Sequence, residues 1–215
     1  MSINHSLSPN PTSPTLLLFG AGGHGRVVAD AALLTKSWPV IVASDRDPAR
    51  CLGPFLPGVN LIDLVVARSL RVNVHIAIGN NARRELEASF WSADDLVSVL
   101  HPFASVSQFS QLGAGSFVAA GAVLAAGTRI GLACIVNHGA IVDHDVHLGA
   151  YCHVAPLASL GGEVVLGQRV MVGAGANILP GVRVTDDVVI GAGAVVRSNL
   201  LEPGTYVGVP AKRVK

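Results

Sequence analysis

The stretch that decides the fold is VNHGAIVDHDVHLGAYCHVAP at residues 136–156, which lies inside a longer run of six-residue repeats. An aliphatic residue stands at every sixth position from 106 to 196. These positions are Val106, Leu112, Val118, Leu124, Ile130, Val136, Val142, Leu148, Val154, Leu160, Leu166, Val172, Ile178, Val184, Ile190 and Val196. A period of six is neither the helical period of about 3.6 nor the strand alternation of two. It is the hexapeptide pattern of a parallel β-helix.

Three hexapeptides make one triangular coil, so the repeat predicts about five coils stacked at ~4.8 Å. Four positions after the aliphatic residue, the side chain is small or is Val, as at Ser110, Ser116, Ala122, Thr128, Cys134 and Ala140. This alternation fills a narrow prism and leaves no room for an internal ligand. We therefore expect ligands to bind outside, in the groove between adjacent prisms of a closed threefold ring, a homotrimer.

The cysteines and glycines of the repeat lead to two further predictions. Cys134 and Cys152 lie one coil apart and should stack as core fillers. Glycine often follows the aliphatic residue, where we expect the corner to require unusual backbone angles. These glycines are Gly113, Gly131, Gly149, Gly167, Gly173 and Gly191.

Residues 15–101 show a different pattern, in which strands and helices alternate. The segments TLLLF (15–19), PVIVA (39–43) and VNVHIAIG (72–79) are predicted strands, and helices are predicted at 27–34, near 62–70 and at about 81–91. This is a small, Rossmann-like parallel α/β unit, about half the size of a full dinucleotide-binding domain. The chain thus divides into an arm (1–14), an α/β domain (15–101) and a β-helix domain with its C-terminal tail (102–215).

Composition excludes several classes of protein. A formal charge of +1 gives no electrostatic case for binding nucleic acid, and the apolar runs are too short for a membrane span. Residues 1–14 lack the basic start and apolar core of a signal peptide, and we expect a disordered arm there. Three cysteines without metal-ligand spacing suit a reduced cytoplasmic protein.

The densest polar chemistry is a group of histidines and aspartates at 137–153. His138 and His144 lie one hexapeptide apart, at the same phase on different faces of the prism, so one metal within one chain is disfavoured and no metal is predicted. His144, flanked by Asp143 and Asp145, has the residue types of a general base with an orienting carboxylate. A solvated corner residue would give the same pattern, and spacing alone does not decide between the two.

A glycine-rich turn, Gly20-Ala21-Gly22-Gly23-His24-Gly25, follows the first strand and opens a helix. Backbone N–H groups at such a turn can hold a phosphate, helped by the helix dipole. Asp45 lies at the end of the next strand, as in dinucleotide sites. The domain has room for only half of such a fold, which favours a nucleotide diphosphate over NAD; a purely structural turn is the third reading.

Five segments together resemble a known family: FGAGGHGRVVAD near the start, AIGNN at 77–81, HPFASVS at 101–107, the stretch at 136–156, and YVGVPAKRVK at the end. They look like the nucleotide-sugar N-acetyltransferases, such as those that act on GDP-perosamine or on UDP-4-amino sugars of the bacillosamine pathway. The resemblance covers nearly the whole chain after the arm. It implies a left-handed β-helix, a trimer, and acetyl-CoA lying between adjacent prisms.

The resemblance also implies roles for individual residues. The catalytic base matches His144 and its acidic neighbour matches Asp145, where some members carry Glu. Acetyl-CoA contacts fall at His153, Gly162, Ala174, Ala192, Lys212 and Arg213. The nucleotide sugar would be held by Gly20, Ala21, Gly22, Gly23, His24, Gly25, Asp45, Arg46, Asn80 and Asn137.

From these residues we predict acetyl transfer from acetyl-CoA to the 4-amino group of a nucleotide-linked 4-amino-4,6-dideoxy sugar, with GDP-perosamine as the expected example. His144 takes the proton in a direct attack. The oxyanion needs a donor, for which a backbone N–H or His153 is a candidate. Two alternatives remain: O-acetylation of a sugar hydroxyl, as in sialic-acid O-acetyltransferases, and non-catalytic binding of a nucleotide sugar.

Overall fold

The computed structural model describes residues 15–214 and consists of the two predicted domains. The predicted N-terminal arm lies outside the described residues. The α/β domain holds a four-stranded parallel sheet in the order β3-β2-β1-β4. Its elements are β1 (Thr15–Phe19), α1 (Gly23–Thr35), β2 (Val40–Ser44), β3 (Val59–Leu61), α2 (Leu64–Ser69), β4 (Asn73–Ile76) and α3 (Asn81–Ala88), with short 3₁₀ helices at Pro48–Cys51 and Ala93–Asp95.

Element types are as predicted, but their bounds differ in an informative way. Helix α1 begins at Gly23, inside the glycine-rich motif, four residues before the predicted start. Helix α3 ends at Ala88 rather than near 91. Strand β3 has only three residues and was not predicted, because a run that short carries no readable periodicity.

The second domain is the predicted left-handed parallel β-helix. Paired strands are eighteen residues apart, as in Ile135 opposite His153, so three hexapeptides make one coil. We call the sheet that contacts the α/β domain the docking face. Its strands are Val99–Leu100, Phe117–Val118, Ile135–Val136, His153–Val154, Met171–Val172, Val188–Ile190 and Gly204–Val207, with antiparallel Lys212–Arg213 at the end.

Two further sheets complete the prism. The second face consists of Ser105–Val106, Val123–Leu124, Ile141–Val142, Ser159–Leu160, Asn177–Ile178 and Val195–Val196. The third face consists of Gln111–Leu112, Arg129–Ile130, His147–Leu148, Val165–Leu166 and Arg183–Val184. Three edges join the faces: the Asn137 edge between docking and second faces, the His144 edge between second and third, and the Tyr151 edge between third and docking.

The aliphatic residues of the repeat and the small residues four positions later fill the prism, as predicted. From Val118 to Val196 every repeat aliphatic is 4% exposed or less, and Cys134 and Cys152 are fully buried on neighbouring coils. Each thiol donates to a backbone carbonyl, that of Gly149 and that of Gly167 respectively. Among residues 15–214, Cys51, Cys134 and Cys152 form no disulfide bond.

The predicted reason for the repeat glycines was wrong. Gly113, Gly131, Gly149, Gly167, Gly173 and Gly191 do not adopt left-handed angles; such angles occur two residues later in the turns, at glycines such as Gly115 and at residues such as Asp145. These glycines are needed for space instead. A Cβ at Gly113 or Gly149 would lie 2.5 Å from the backbone of the next coil. Stacking of the coils, rather than local backbone freedom, therefore selects glycine here.

An apolar interface fixes the α/β domain on the prism. Val28, Ala29 and Ala32 of α1 pack in one buried cluster with Phe117 and Ile135 of the docking face. The strand at Val99–Leu100 pairs with Phe117–Val118 and is already the first strand of the docking face. Within residues 15–214, no helix combines the length and apolarity that a membrane span requires.

Candidate active site

The His144 edge presents an imidazole–carboxylate pair to solvent. Nδ1 of His144 lies 3.0 Å from Oδ2 of Asp145, and the His144 backbone N–H donates to Asp143 at 2.7 Å. A carboxylate can only accept, so Nδ1 carries the proton and Nε2 is left as the basic nitrogen. The hydrogen bond to Asp145 raises the pKa of His144, and the charges of Asp143 and Glu163 act in the same direction.

The fold of the turn produces this pair. Asp145 adopts a left-handed φ of 58°, a conformation that aspartate tolerates better than most residues. That conformation allows the carboxylate to reach back to the preceding imidazole. The carboxylate lies over Gly127 of the previous coil, where a Cβ would be 2.3 Å from Oδ1. The predicted base and its neighbour are thus brought together by geometry.

His153 lies on the opposite side of the prism from that pair, under the α/β domain. Its side chain is almost buried, Nδ1 is 3.1 Å from the carbonyl oxygen of Gly79, and Nε2 is 3.1 Å from Nδ2 of Asn137. Burial lowers the pKa of His153 to about 4, so the ring is neutral at pH 7. Nδ1–H donates to Gly79, and Nε2 accepts from Asn137. In this arrangement the ring has no N–H left for a thioester oxygen.

A cavity of about 510 Å³ opens beside the glycine-rich turn. Of the predicted nucleotide residues, it is lined by Gly20, Gly22, Gly23, His24, Asp45 and Arg46. Helix α1 begins at the wall of this cavity, so its first backbone N–H groups face the cavity. A size of this order and a helix N-terminus suit a phosphorylated ligand.

Of the predicted nucleotide residues, Ala21, Gly25, Asn80 and Asn137 do not line this cavity. The backbone N–H of Ala21 donates to Asp45 at 2.9 Å, which fixes the turn to β2. Gly25 is a close-packing position, since a Cβ there would be 2.0 Å from the Gly20 carbonyl oxygen. Asn80 caps α3 through Arg83 N–H and borders a neighbouring cavity of about 370 Å³.

Sequence reasoning missed two arginines in the larger cavity. Arg50 extends its guanidinium over the glycine-rich turn, and a Cβ at Gly22 would lie 2.6 Å from Nη1. Arg83 lines the same cavity. Arg46, which was predicted, is ion-paired with Glu87 and lies over the Phe90 ring. Arg50 sits in a short 3₁₀ turn with no motif, so only its basic charge near Asp45 was available as a signal.

Apart from His153, the predicted acetyl-CoA contacts fall at three places. Ala174 and Ala192 are exposed on neighbouring coils of the Asn137 edge, whereas Gly162 lies on the His144 edge. Lys212 and Arg213 are exposed at the end of the docking face, where Arg213 bonds to Glu202 and to the Pro203 carbonyl.

Within residues 15–214, no three His, Cys, Asp or Glu side chains form a group that could hold a metal ion.

Comparisons with known proteins agree with this architecture. The PglD N-terminal domain family matches residues 15–88, and the bacterial transferase hexapeptide family matches residues 163–198. A comparison with curated protein sequences gives no significant match.

Solved structures match over almost the whole chain. The acetyltransferase domain of PglB from Neisseria gonorrhoeae, in complex with acetyl coenzyme A, is 34% identical with a TM-score of 0.88, and the match covers 94% of this chain and 100% of that one. PerB from Caulobacter crescentus, in complex with CoA and GDP-perosamine, is 34% identical with a TM-score of 0.84, covering 97% and 100%.

WeeI from Acinetobacter baumannii is 24% identical with a TM-score of 0.82 over 93% of this chain and 99% of that one, and it shows the fold alone. The two 34% matches show more, because each spans both domains in full. The chain therefore belongs to the nucleotide-sugar N-acetyltransferase family of left-handed β-helix acyltransferases and is itself an acetyltransferase.

Proposed function

We propose that this protein transfers the acetyl group of acetyl-CoA to the 4-amino group of a nucleotide-linked 4-amino-4,6-dideoxy sugar. The observation that carries the proposal is the exposed His144–Asp145 pair, which leaves Nε2 free to accept a proton. Similarity to structures that hold acetyl coenzyme A, or CoA with GDP-perosamine, supports the two substrates. GDP-perosamine is the first sugar nucleotide to test.

The positions of cavity and base favour a site shared between protomers. The cavity lies against the docking face, where the His24 ring is 5.5 Å from that of Phe117. His144 lies on the edge opposite that face, so the prism stands between them within one chain. A sugar bound in the cavity is near the Asn137 edge of its own protomer. A neighbouring prism in a homotrimer would supply the His144 edge.

The same arrangement suits acetyl-CoA. Of the predicted contacts, Ala174 and Ala192 lie on the Asn137 edge and Gly162 lies on the His144 edge. The Asn137 and His144 edges are different corners of the triangular prism, so one extended pantetheine chain cannot contact both edges of the same protomer. A groove between two protomers brings one edge of each together, and the thioester could then lie between the sugar amine and His144.

The proposed reaction needs one base and no covalent enzyme intermediate. The sugar nitrogen attacks the thioester carbonyl carbon, and its proton passes to Nε2 of His144. The C–S bond then breaks, and the thiolate takes the proton from the imidazolium to leave as CoA thiol. Asp145 stabilises the transient positive charge on the ring. A general base of this kind contributes ~10²–10⁴-fold in rate.

The cavity would hold the nucleotide diphosphate through three features. Backbone N–H groups of Gly22 and Gly23 face it, the α1 dipole favours an anion, and Arg50 and Arg83 add positive charge. Burial lowers the pKa of His24 to about 3, so its ring is neutral and adds no charge.

We include a cytoplasmic location in the proposal, because the described cysteines are free thiols.

A thiol-release assay tests the proposal. The purified protein is given acetyl-CoA and a panel of GDP-, UDP- and dTDP-linked 4-amino-4,6-dideoxy sugars, with the matching 4-hydroxy sugars as acceptor controls. We expect release with an amino sugar and loss of ~10²–10⁴-fold in kcat for His144→Ala. His147→Ala, three residues away on the third face, is the matched control and should keep full activity. Equal kcat for His144→Ala and the parent would exclude His144 as the base.

A further inference from the structure

Arg84 is a charged residue at the centre of the interface between the two domains. Its side chain is 1% exposed, although it comes from a helix on the surface of the α/β domain. Nη1 donates to the carbonyls of Ile78 and Gly79 at 2.9 and 3.1 Å. Nε donates to Ala133 at 2.7 Å, and Nη2 donates to Tyr151 at 2.7 Å and Cys152 at 3.2 Å. The guanidinium therefore binds backbone in both domains.

The partners of Arg84 are unusual for a buried cation. Besides five carbonyls it bonds only to Oδ1 of Asn81, and no described carboxylate pairs with it. Burial lowers the pKa of Arg84 to about 10, so the group stays charged at neutral pH. Stability alone is served as well by apolar residues of similar volume. A planar fork with fixed donor directions, in contrast, sets the relative position of every carbonyl it binds.

Those carbonyls belong to the two parts of the proposed site. Ile78 and Gly79 line the nucleotide cavity. Tyr151 and Cys152 directly precede His153 on the prism. Gly79 also accepts from His153, whose other ring nitrogen contacts Asn137. One guanidinium thus fixes the floor of the cavity against the Tyr151 edge of the prism, and His153 links that floor to Asn137 on the edge that borders the proposed groove.

We propose that Arg84 is a positioning residue, which sets the distance between the nucleotide cavity and the prism groove where the acetyl group is transferred. This inference rests on the proposed function. A sugar anchored by its nucleotide reaches the thioester only if the cavity is held in one place. Displacement of an anchored reactant by about 1 Å can cost ~10²-fold in rate.

Asn81, on the same helix as Arg84, also connects the two domains. Its Nδ2 donates to the carbonyls of Arg169 and Val170, one coil beyond Cys152. Its Oδ1 accepts from Arg84. Asn81→Ala therefore removes part of the clamp without burying a new charge or leaving the guanidinium unbonded. It is the second variant if Arg84→Lys proves unstable.

The test compares Arg84→Lys with the parent protein at a temperature well below both melting temperatures. Lysine keeps the charge but cannot reach five carbonyls with one ammonium. We expect kcat with the nucleotide-linked amino sugar to fall by about 10–100-fold. The dissociation constants of the nucleoside diphosphate and of CoA should change less than about threefold, because their contacts lie on other residues. Arg71→Lys, an exposed position in the same domain, should match the parent.

A second acceptor separates positioning from simple destabilisation. The same amino sugar without its nucleotide is not anchored in the cavity, so its slow acetylation should be equal in Arg84→Lys and the parent. A lower melting temperature with unchanged kcat on the anchored substrate would overturn the inference and leave the proposed function intact. Absence of thiol release by the parent with every sugar nucleotide would instead reject the proposed function.

Discussion

The imidazole of His144 lies directly over the Cα of Gly162, one coil further along the chain. A Cβ added at Gly162 would be 2.4 Å from Nε2 and 2.5 Å from Cε1. Gly162 has no left-handed φ, so its backbone does not require glycine. Asp145 lies over Gly127 in the same way, on the coil before. The base and its carboxylate are therefore placed between two glycines of neighbouring coils.

Gly162→Ala should impair catalysis while it leaves the fold intact. The clashing atoms belong to an exposed side chain that can rotate away, whereas the alanine backbone is unstrained. We expect the melting temperature to change by no more than about 2 °C. The imidazole leaves its position against the groove, and kcat should fall by about 10–100-fold. Steady-state kinetics and thermal unfolding of the variant measure the two effects.

A double variant decides whether the methyl group acts through His144. If it does, Gly162→Ala should have almost no further effect in a His144→Ala background, because the displaced ring is already absent. Additive losses would mean that Gly162 acts independently, for example through the acetyl-CoA contact that the sequence predicts.

Asp145→Asn should shift the pH dependence of kcat/KM. The Asp145 carboxylate raises the pKa of His144, so in the parent protein the acidic limb lies at higher pH than it would for an unperturbed histidine. The base must be neutral to act, and activity therefore rises as pH increases through that pKa. Asparagine removes the charge, and the limb should move to lower pH. Activity above the limb should also fall, because the weaker base accepts a proton less readily.

The size of the loss distinguishes an orienting carboxylate from an essential one. Asp145→Asn should cost less than the ~10²–10⁴-fold expected for loss of the base itself. Asp143→Asn is the matched variant on the other side of His144. It removes a charge that also raises the pKa of His144 but leaves the ring hydrogen bond to Asp145 in place, so its acidic limb should move less than that of Asp145→Asn. An acidic limb at the same pH in Asp145→Asn and the parent would contradict the role of Asp145.

Arg50→Gln should weaken binding of phosphate and spare binding of the nucleoside. The Arg50 guanidinium lies over Gly22 in the cavity, and among residues 15–214 it makes one long ion pair, 3.6 Å, with Asp47. A hydrogen bond to a charged group contributes about 1.5 kcal/mol or more, so the dissociation constant for nucleoside diphosphate should rise about tenfold. Calorimetry with the diphosphate and the bare nucleoside tests this, with Arg71→Gln as control. An equal effect on both ligands would argue against a phosphate contact.

Most of the fold could be predicted because each coil contacts only its neighbours. A local repeat of six therefore specifies both the strand spacing and the filled interior. The repeat also places His144 and Asp145 on an edge of the prism, but spacing alone does not distinguish a base from a solvated corner residue, and the family resemblance suggested the catalytic roles. The glycines were found but misinterpreted, because the clash that selects Gly113 or Gly149 involves a residue eighteen positions away.

The sequence did not reveal side-chain contacts that depend on how separate segments pack together. Arg84 bonds to carbonyls, and every residue has a carbonyl, so its partners leave no signature in the sequence. Arg50 reaches the glycine-rich turn from a short loop whose path depends on the tertiary fold. Asn80 was assigned to the nucleotide from the family pattern, and the structure gives it a capping role that its spacing to Arg83 already permits.

The interface between the domains should be sensitive to acid. Burial lowers the pKa of His24 to about 3 and the pKa values of His75 and His153 to about 4, and all three rings pack between the α/β domain and the docking face. The folded protein keeps them neutral, whereas the unfolded chain binds protons below a pKa of about 6.5. The unfolded state thus holds more protons, and stability is lost as pH falls from about 6.5 towards 4.

His75→Asn tests this origin of the acid sensitivity. The Nδ1–H of His75 donates to the Val97 carbonyl, and the asparagine amide can make the same bond without titrating. His75 lines neither cavity, so the site is not altered directly. At a fixed protein concentration, the melting temperature of the variant should fall less steeply between pH 6.5 and 4.5 than that of the parent. In unfolding free energy, the difference between the two slopes should be at most ~1.4 kcal/mol per pH unit. Parallel curves would mean that other titrating groups, rather than this buried imidazole, cause the acid unfolding.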